Sequence, residues 1–358
     1  MIGIVGGGLA AAKLVEGYRE SGGADQITIW SQDPHGPSHR PPLSKKVLRG
    51  EVKAEDTLVH PYDWYAENGV DLRLGETVSS LGDLNAETIV IATGARPREL
   101  AGAIGLRSLD SAVELRKRAE AARTAVVVGG GFIGCEVTAS LTQAGVEVTQ
   151  IVRDPMVFAP LKAPPLSEAL HELFRAHGVD LRLGESDVPE GADLTVAGIG
   201  VVPNVELAAA AGLEVRNGVV VDERFETSRP GVYAIGDVAE FLDPLYGRHR
   251  RIEHWSNSAY HGTTLGKILA GEDARYDTVS SFFSEQFGQV FKAFGDTLGH
   301  DGTALEGDFR EGGAVLRFLK GGNVIAAVLK GQDEDAESAL KDEIRAGAAS
   351  SRQSLRSQ

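Results

Sequence analysis

The sequence predicts an α/β protein, and three observations carry that prediction. The first is a pair of glycine-rich turns, each entered from an apolar strand and left into an amphipathic helix. They are Ile4-Val5-Gly6-Gly7-Gly8-Leu9-Ala10-Ala11 and Val126-Val127-Val128-Gly129-Gly130-Gly131-Phe132-Ile133-Gly134. The second is an internal echo: the octapeptide Gly-Val-Asp-Leu-Arg-Leu-Gly-Glu stands at Gly69–Glu76 and again at Gly178–Glu185. The third is the matching order of elements around each copy, namely strand, glycine turn, helix, strand, later strand and closing strand. Together these predict two Rossmann-like dinucleotide-binding domains followed by a small C-terminal α+β domain.

The turns have a physical reading. The first glycine permits the tight strand-to-helix turn, the second leaves no side chain between backbone and pyrophosphate, and the third lets helix approach strand. Unpaired N–H groups at the helix start then face the anionic phosphates. The third position is Ala11 in the first turn and Gly134 in the second. One such turn is a weak sign. Two in one chain imply two dinucleotides and electrons passing between them.

Composition bounds the rest. A chain of 358 residues should form two or three domains, and 42% hydrophobic with 24% charged residues is ordinary for a globular protein. A net charge of −15 argues against nucleic-acid binding. Cys135 is the single cysteine, so no intrachain disulfide forms, which suits a reducing compartment. It reads as a packing residue rather than a redox one. The chain enters a strand at Ile2, without room for a signal peptide, and no apolar run is long enough to span a bilayer. The expected location is cytoplasmic, with no membrane association and no metal site.

The expected layout is a discontinuous first domain (1–106 and 222–275), a second domain (107–221), a C-terminal domain (276–346) and a disordered tail (347–358). The first domain closes with Pro230-Gly231-Val232-Tyr233-Ala234-Ile235-Gly236-Asp237, a turn and buried strand that deliver a carboxylate to the ligand-binding edge of the sheet. A helix over Ser256–Leu269 follows. Strands at Ala314–Phe318 and Val324–Leu329 and a helix at Asp335–Ala346 make up the C-terminal domain. The links Thr77–Glu87 and Ser186–Asp193 are short.

Six motifs then point to a family: Arg40-Pro41-Pro42-Leu43-Ser44-Lys45, Ala92-Thr93-Gly94-Ala95-Arg96-Pro97, Gly200-Val201-Val202-Pro203-Asn204, Ala234-Ile235-Gly236-Asp237, Glu253-His254-Trp255 and Phe283-Ser284-Glu285-Gln286. In these residues, and in their order, nearly the whole chain resembles the FAD-dependent ferredoxin reductases, flavoproteins with a glutathione reductase-like fold. The resemblance implies FAD on the first half and a nicotinamide dinucleotide on the second.

For FAD, the resemblance implies that Gly6, Gly8 and Ala11 cradle the pyrophosphate. Asp33 would accept hydrogen bonds from the adenosine ribose, or else serve the turn before Pro34. Arg40 and Lys45 would bring positive charge to phosphate and flavin, where a cation stabilises the reduced state. Ala92, Thr93, Gly94 and Arg96 line the site, Gly236 and Asp237 hold the ribitol, and Glu253, His254, Trp255 and Phe283 lie near the flavin. Trp255 and Phe283 have simple core packing as their alternative. The family's tryptophan is Phe283 here, which keeps an apolar wall but loses the indole N–H.

For NAD(P)H, it implies a site of Gly129, Gly131, Phe132, Ile133, Gly134 and Gly200. Glu136 would face the nicotinamide and pair with Lys45, and these two are the expected catalytic residues. The family's usual acid at the end of the second strand is replaced by Val152, followed by Arg153. Loss of an anion and gain of a cation favours the 2′-phosphate, hence NADPH over NADH. Against this, Gly134 is commoner in NADH sites and Asp154 is acidic.

The resemblance implies hydride transfer from NAD(P)H to FAD, then single-electron steps to a ferredoxin-type iron–sulfur protein. The chain itself would be a monomer or homodimer. Two basic clusters, Arg40, Lys45, Lys46, Arg49 and Lys53 in one loop and Arg248, Arg250 and Arg251 in another, are expected to receive the acidic carrier. A slow NAD(P)H oxidase and a flavin redox sensor resembling apoptosis-inducing factor remain as alternatives. A disulfide reductase would need cysteines that the chain lacks.

Overall fold

The computed structural model describes residues 1–356 and divides them into two compact units. The first comprises residues 1–39, 57–96 and 202–278, and the second comprises residues 40–56, 97–201 and the described residues from 279 onward. The architecture is mixed α/β with two parallel sheets, as the glycine turns predict.

The first unit is built on a five-stranded parallel sheet in the order Val232–Ala234, Thr88–Ile91, Ile2–Val5, Ile27–Ser31, Val70–Leu74. Its inner strands Ile2–Val5 and Thr88–Ile91 are almost wholly buried, as strands covered on both faces are, while the edge strand Val70–Leu74 alternates apolar and charged residues. The helices Leu9–Glu20 and Trp255–Leu269 lie in backbone contact. A methyl group on Gly262 would fall 2.3 Å from the Ala10 carbonyl oxygen, and one on Gly266 2.4 Å from that of Leu14. Glycine at these helix positions costs about 1 kcal/mol each in propensity, and the close helix crossing is what it permits. A three-stranded sheet of Val219–Val221, Ala239–Asp243 and Arg248–Arg250 completes the unit. Residues 202–221, expected in the second domain, belong here: Ala208, Leu213, Val219 and Val221 join the core of Ile4, Leu14, Phe225 and Phe241.

The second unit repeats the design. Its parallel sheet runs Ile104–Gly105, Leu194–Ala197, Thr124–Val128, Glu147–Val152, Asp180–Leu183. The two octapeptides therefore form the same edge strand in each sheet. Their ends match bond for bond: Gly75 and Glu76 donate N–H to the carbonyls of Asp33 and Ser31, and Gly184 and Glu185 to those of Asp154 and Val152. Gly75 and Gly184 both take left-handed φ values, +71° and +73°, which explains why each copy carries glycine there.

The C-terminal segment forms an antiparallel sheet in the order Ser281–Gln286, Gln289–Gly295, Asn323–Lys330, Ala314–Lys320, Gly302–Gly307. The sequence expects it as a separate domain. In the structure, its Phe291, Phe309, Leu316 and Phe318 share one apolar cluster with Val152, Phe158, Leu166 and Phe174 of the parallel domain. Shared burial of apolar surface makes the two one body. The closing helix extends over Glu334–Arg356, so the stretch from 347 to 356, expected to be disordered, is helical; the last two residues of that tail lie outside the described residues. Among the described residues no helix is long and apolar enough to cross a membrane.

Candidate functional site

Each unit presents a glycine cradle. In the first, Gly6 has φ +115°, and a Cβ there would sit 2.2 Å from the Ala92 carbonyl oxygen. Gly8 caps the helix Leu9–Glu20 with no side-chain bond, leaving its first N–H groups without a capping side chain. Ala11 is fully buried beneath. In the second, Gly129 has φ +124° and a Cβ there would meet the Gly198 carbonyl oxygen at 2.3 Å. A Cβ on Gly134 would meet the Gly129 carbonyl oxygen at 2.3 Å, whereas one on Gly131 meets nothing closer than 4.0 Å. The three glycines thus divide the labour: Gly129 turns, Gly134 permits close packing, and Gly131 opens onto free space. Both cradles fit a dinucleotide pyrophosphate.

Around the first cradle, Asp237 is buried and accepts a hydrogen bond from Ser258 Oγ at 2.8 Å. Gly236, at φ +73°, donates its N–H to His261 Nδ1 at 3.2 Å. Burial holds His261 neutral by pushing its pKa down to about 3, against the opposing charge of Asp237. The same desolvation lowers His254, to about 4. Neither His261 nor Ser258 stands out in the sequence, because a polar residue inside a helix pattern carries no sign of the carboxylate or N–H that it meets. Asp33 spends one carboxylate oxygen on its own turn, accepting from the His35 N–H at 3.0 Å.

Two sequence motifs interlock here. Thr93 Oγ1 donates to the Asn204 carbonyl, and Asn204 Nδ2 donates to the Thr93 carbonyl, both at 2.8 Å. Arg96 bonds Asn204 Oδ1 and pairs with Glu206, both at 2.7 Å. Gly94, at φ +66°, lies between Thr93 and Arg96. Arg96 thereby anchors the chain, which its place in the motif did not reveal. Trp255 is 40% exposed and bonds His39. Glu253 pairs with Arg251 at 2.5 Å.

In the second unit, Lys45 and Glu136 are both buried and form an ion pair of 2.6 Å. Lys45 comes from the π-helical segment Leu43–Val47, and Glu136 from the opening turns of the helix Phe132–Gln143 that leaves the second cradle. Ser44 Oγ donates to the same carboxylate oxygen at 2.5 Å, and Ser284 Oγ donates to the other at 2.7 Å. The Lys45 ammonium lies 5.7 Å from the centroid of the Phe283 ring. It has two protein acceptors, Glu136 Oε2 and Ser44 Oγ, so a third N–H is left for a ligand. Phe132 packs between Phe158 and Phe282 with centroids 4.7 and 4.4 Å away, an aromatic core role, while Ile133 is 40% exposed. Gly200 takes φ +92° and accepts the Arg98 N–H. Val152 is buried against Gly130, whose Cβ would meet its Cγ1 at 2.5 Å, and Arg153 is exposed at the strand end. Cys135 is buried and its thiol is pushed up to about 12 by desolvation, so it stays protonated and inert.

Part of the basic charge expected to receive the carrier is spent inside the protein. Lys45 is buried in its ion pair, and Arg49 pairs with Glu51 at 2.6 Å. Arg250 pairs with the buried Asp243 at 3.0 Å, and Arg251 donates to the Asp237 carbonyl at 3.2 Å. Lys45, Arg250 and Arg251 satisfy internal acceptors because buried anions and carbonyls need partners, whereas the partner of Arg49 is an exposed carboxylate. Arg40, Lys46 and Lys53 are exposed.

Comparison with known proteins agrees with this geometry. The chain is 34% identical to putidaredoxin reductase CamA of Pseudomonas putida, over 90% of this chain and 86% of that one. It is 30% identical to rubredoxin-NAD(+) reductase of Ectopseudomonas oleovorans, over 83% and 87%. Among solved structures, the covalent putidaredoxin reductase–putidaredoxin complex aligns with a TM-score of 0.90 at 32% identity, covering 96% of this chain and 93% of that one. The pyridine nucleotide-disulphide oxidoreductase pattern matches residues 2–262, and the chain belongs to that family of oxidoreductases.

Proposed function

We propose that the chain is a ferredoxin reductase. The first cradle holds FAD, the second holds a pyridine nucleotide, and electrons leave to a ferredoxin-type iron–sulfur protein. The observation that carries this reading is the buried pair of Lys45 with Glu136, the latter on the opening turns of the second cradle's helix, with one lysine N–H to spare. When bound, FAD accepts a hydride from the nicotinamide and releases electrons singly.

The residues have separate tasks. Gly6, Gly8 and Ala11 admit one pyrophosphate, and Gly129, Gly131 and Gly134 the other. Asp237, oriented by Ser258, accepts hydroxyls of the ribitol. Lys45 supplies a fixed positive charge, and Glu136 neutralises it in part and holds it in place. The relatives' names speak of putidaredoxin, rubredoxin and NAD(+). This chain's own strand end, with Val152 and Arg153 where an acid would hold a ribose 2′-OH, favours NADPH. The lone thiol supports a reducing cytoplasm.

Anaerobic stopped-flow mixing of the flavin-loaded protein with NADH and NADPH in parallel tests the reading. Rapid reduction followed by reduction of an added iron–sulfur carrier is expected. A persistent long-wavelength band with poor turnover would favour a redox sensor, oxygen use matching coenzyme use would favour an oxidase, and a preparation that never retains flavin sinks the proposal.

A further inference from the structure

Ser284 and Gln286, on the strand Ser281–Gln286, form a hydrogen-bond chain that ends on Glu136. Gln286 Nε2 lies 2.7 Å from Ser284 Oγ, and Ser284 Oγ lies 2.7 Å from Glu136 Oε1. All three side chains are buried. An amide nitrogen only donates and an ionised carboxylate only accepts, so the hydroxyl between them has one consistent direction, with its proton on Glu136. With the amide turned round, the single hydroxyl proton would face two acceptors and one carboxylate oxygen would lose its donor.

The other carboxylate oxygen is held by Lys45 Nζ and Ser44 Oγ, and Ser44 is itself tied down, because Ser140 Oγ donates to its carbonyl at 2.7 Å. Glu136 is therefore gripped at both oxygens from two segments remote in sequence, the Leu43–Val47 segment and the C-terminal sheet. A carboxylate fixed at one oxygen alone still rotates about its terminal torsion, which is broad and two-fold. Fixed at both, it sets the direction of the lysine ammonium, and with it the direction of the spare N–H.

We infer that Ser284, backed by Gln286, is a positioning residue for hydride transfer: it holds Glu136 so that Lys45 presents its third N–H. This rests on the ferredoxin-reductase reading above. It also assigns the C-terminal sheet a part in the chemistry, since that sheet supplies the donor to the outer carboxylate oxygen.

The test is the pair Ser284→Thr and Ser284→Val in the flavin-loaded protein. Threonine and valine have nearly the same shape, both suit a strand, and they differ in the hydroxyl. Two quantities are read: the limiting rate of flavin reduction by NADPH under anaerobic single turnover, and the dissociation constant of NADP+ from titration of the oxidised protein. The expected result is a limiting rate about tenfold lower in Ser284→Val, about equal to the parent in Ser284→Thr, and NADP+ binding changed less than about threefold in both. A Val variant reduced at the parent rate, or Thr and Val falling together, overturns the inference. Should Ser284→Val lose its flavin, Gln286→Met is read in the same way, and a parent-like rate there overturns it. A parent protein whose flavin no pyridine nucleotide reduces overturns the underlying reading, and the inference with it; a normal parent beside an unaffected Val variant overturns the inference alone.

Discussion

Trp255 donates its indole N–H to Nδ1 of His39 at 3.0 Å, with the ring centroids 5.7 Å apart. An exposed tryptophan at the start of a helix is thus held by a histidine that must be neutral at that nitrogen. Burial, and then Lys13, hold the His39 pKa below its ordinary value, while Glu16 opposes them.

The bond should therefore persist at neutral pH and break below about pH 6.5, when Nδ1 gains a proton. Subtracting the emission of Trp255→Phe from that of the parent isolates the Trp255 signal from Trp30 and Trp64. It should show a transition in that acid range that vanishes in His39→Gln. A titration unchanged by that substitution removes His39 from the account.

His261 sets a second pH dependence. Its folded pKa, about 3, lies below the unfolded value of 6.5, so the unfolded chain binds more protons. Stability is present above pH 6.5 and is lost as pH falls from there toward 3, at up to about 1.4 kcal/mol per pH unit. In His261→Leu, the loss between pH 7 and 5 should be smaller than in the parent by about 2 kcal/mol. Urea unfolding at the two pH values measures it, and parallel pH dependences in the two proteins would contradict the assignment.

Breaking the buried ion pair should be expensive. Glu136→Gln leaves the Lys45 ammonium buried without a counter-charge, at a cost of about 3–5 kcal/mol. Chemical denaturation of the apoprotein reads this directly. A loss under about 1 kcal/mol would mean that water reaches the lysine.

Arg250→Glu should damage the fold rather than selectively impair docking. It faces the buried Asp243 with a second carboxylate, in place of a 3.0 Å ion pair. Reduction of an iron–sulfur carrier and of ferricyanide should fall together, with a lowered melting temperature and a loss of about 3–5 kcal/mol. Selective loss of carrier reduction at unchanged stability would restore the docking role.

Coenzyme choice should follow the end of the strand Glu147–Val152. Arg153→Ser should lower kcat/KM for NADPH about tenfold and leave NADH nearly unchanged, since a charge-assisted bond to phosphate is worth about 1.5–3 kcal/mol. Equal losses for both coenzymes would show that Arg153 does not read the 2′-phosphate.

Much of this was legible in the linear chain. Glycine patterning located both cradles, because a strand-to-helix turn at positive φ excludes other residues, and the octapeptide echo foretold two equivalent edge strands. The Lys45–Glu136 pair was expected through the resemblance and is present. Charge patterning misled: Arg250 and Arg251 read as a basic surface, yet each answers an internal acceptor. Sequence neighbours cannot reveal partners such as Asp243 or the Asp237 carbonyl.

The sequence by itself determined the local grammar: which segments turn, which alternate as strand and helix, and that two dinucleotide sites exist. The tertiary structure alone decided which polar groups become partners. It joined the C-terminal sheet to the second parallel domain through shared apolar burial. It brought Ser284 to Glu136 across 148 positions of chain, and His261 to Gly236 across 25. The reason is that a buried polar group must find a hydrogen-bond partner wherever packing puts one, whereas turn and strand preferences act only between near neighbours.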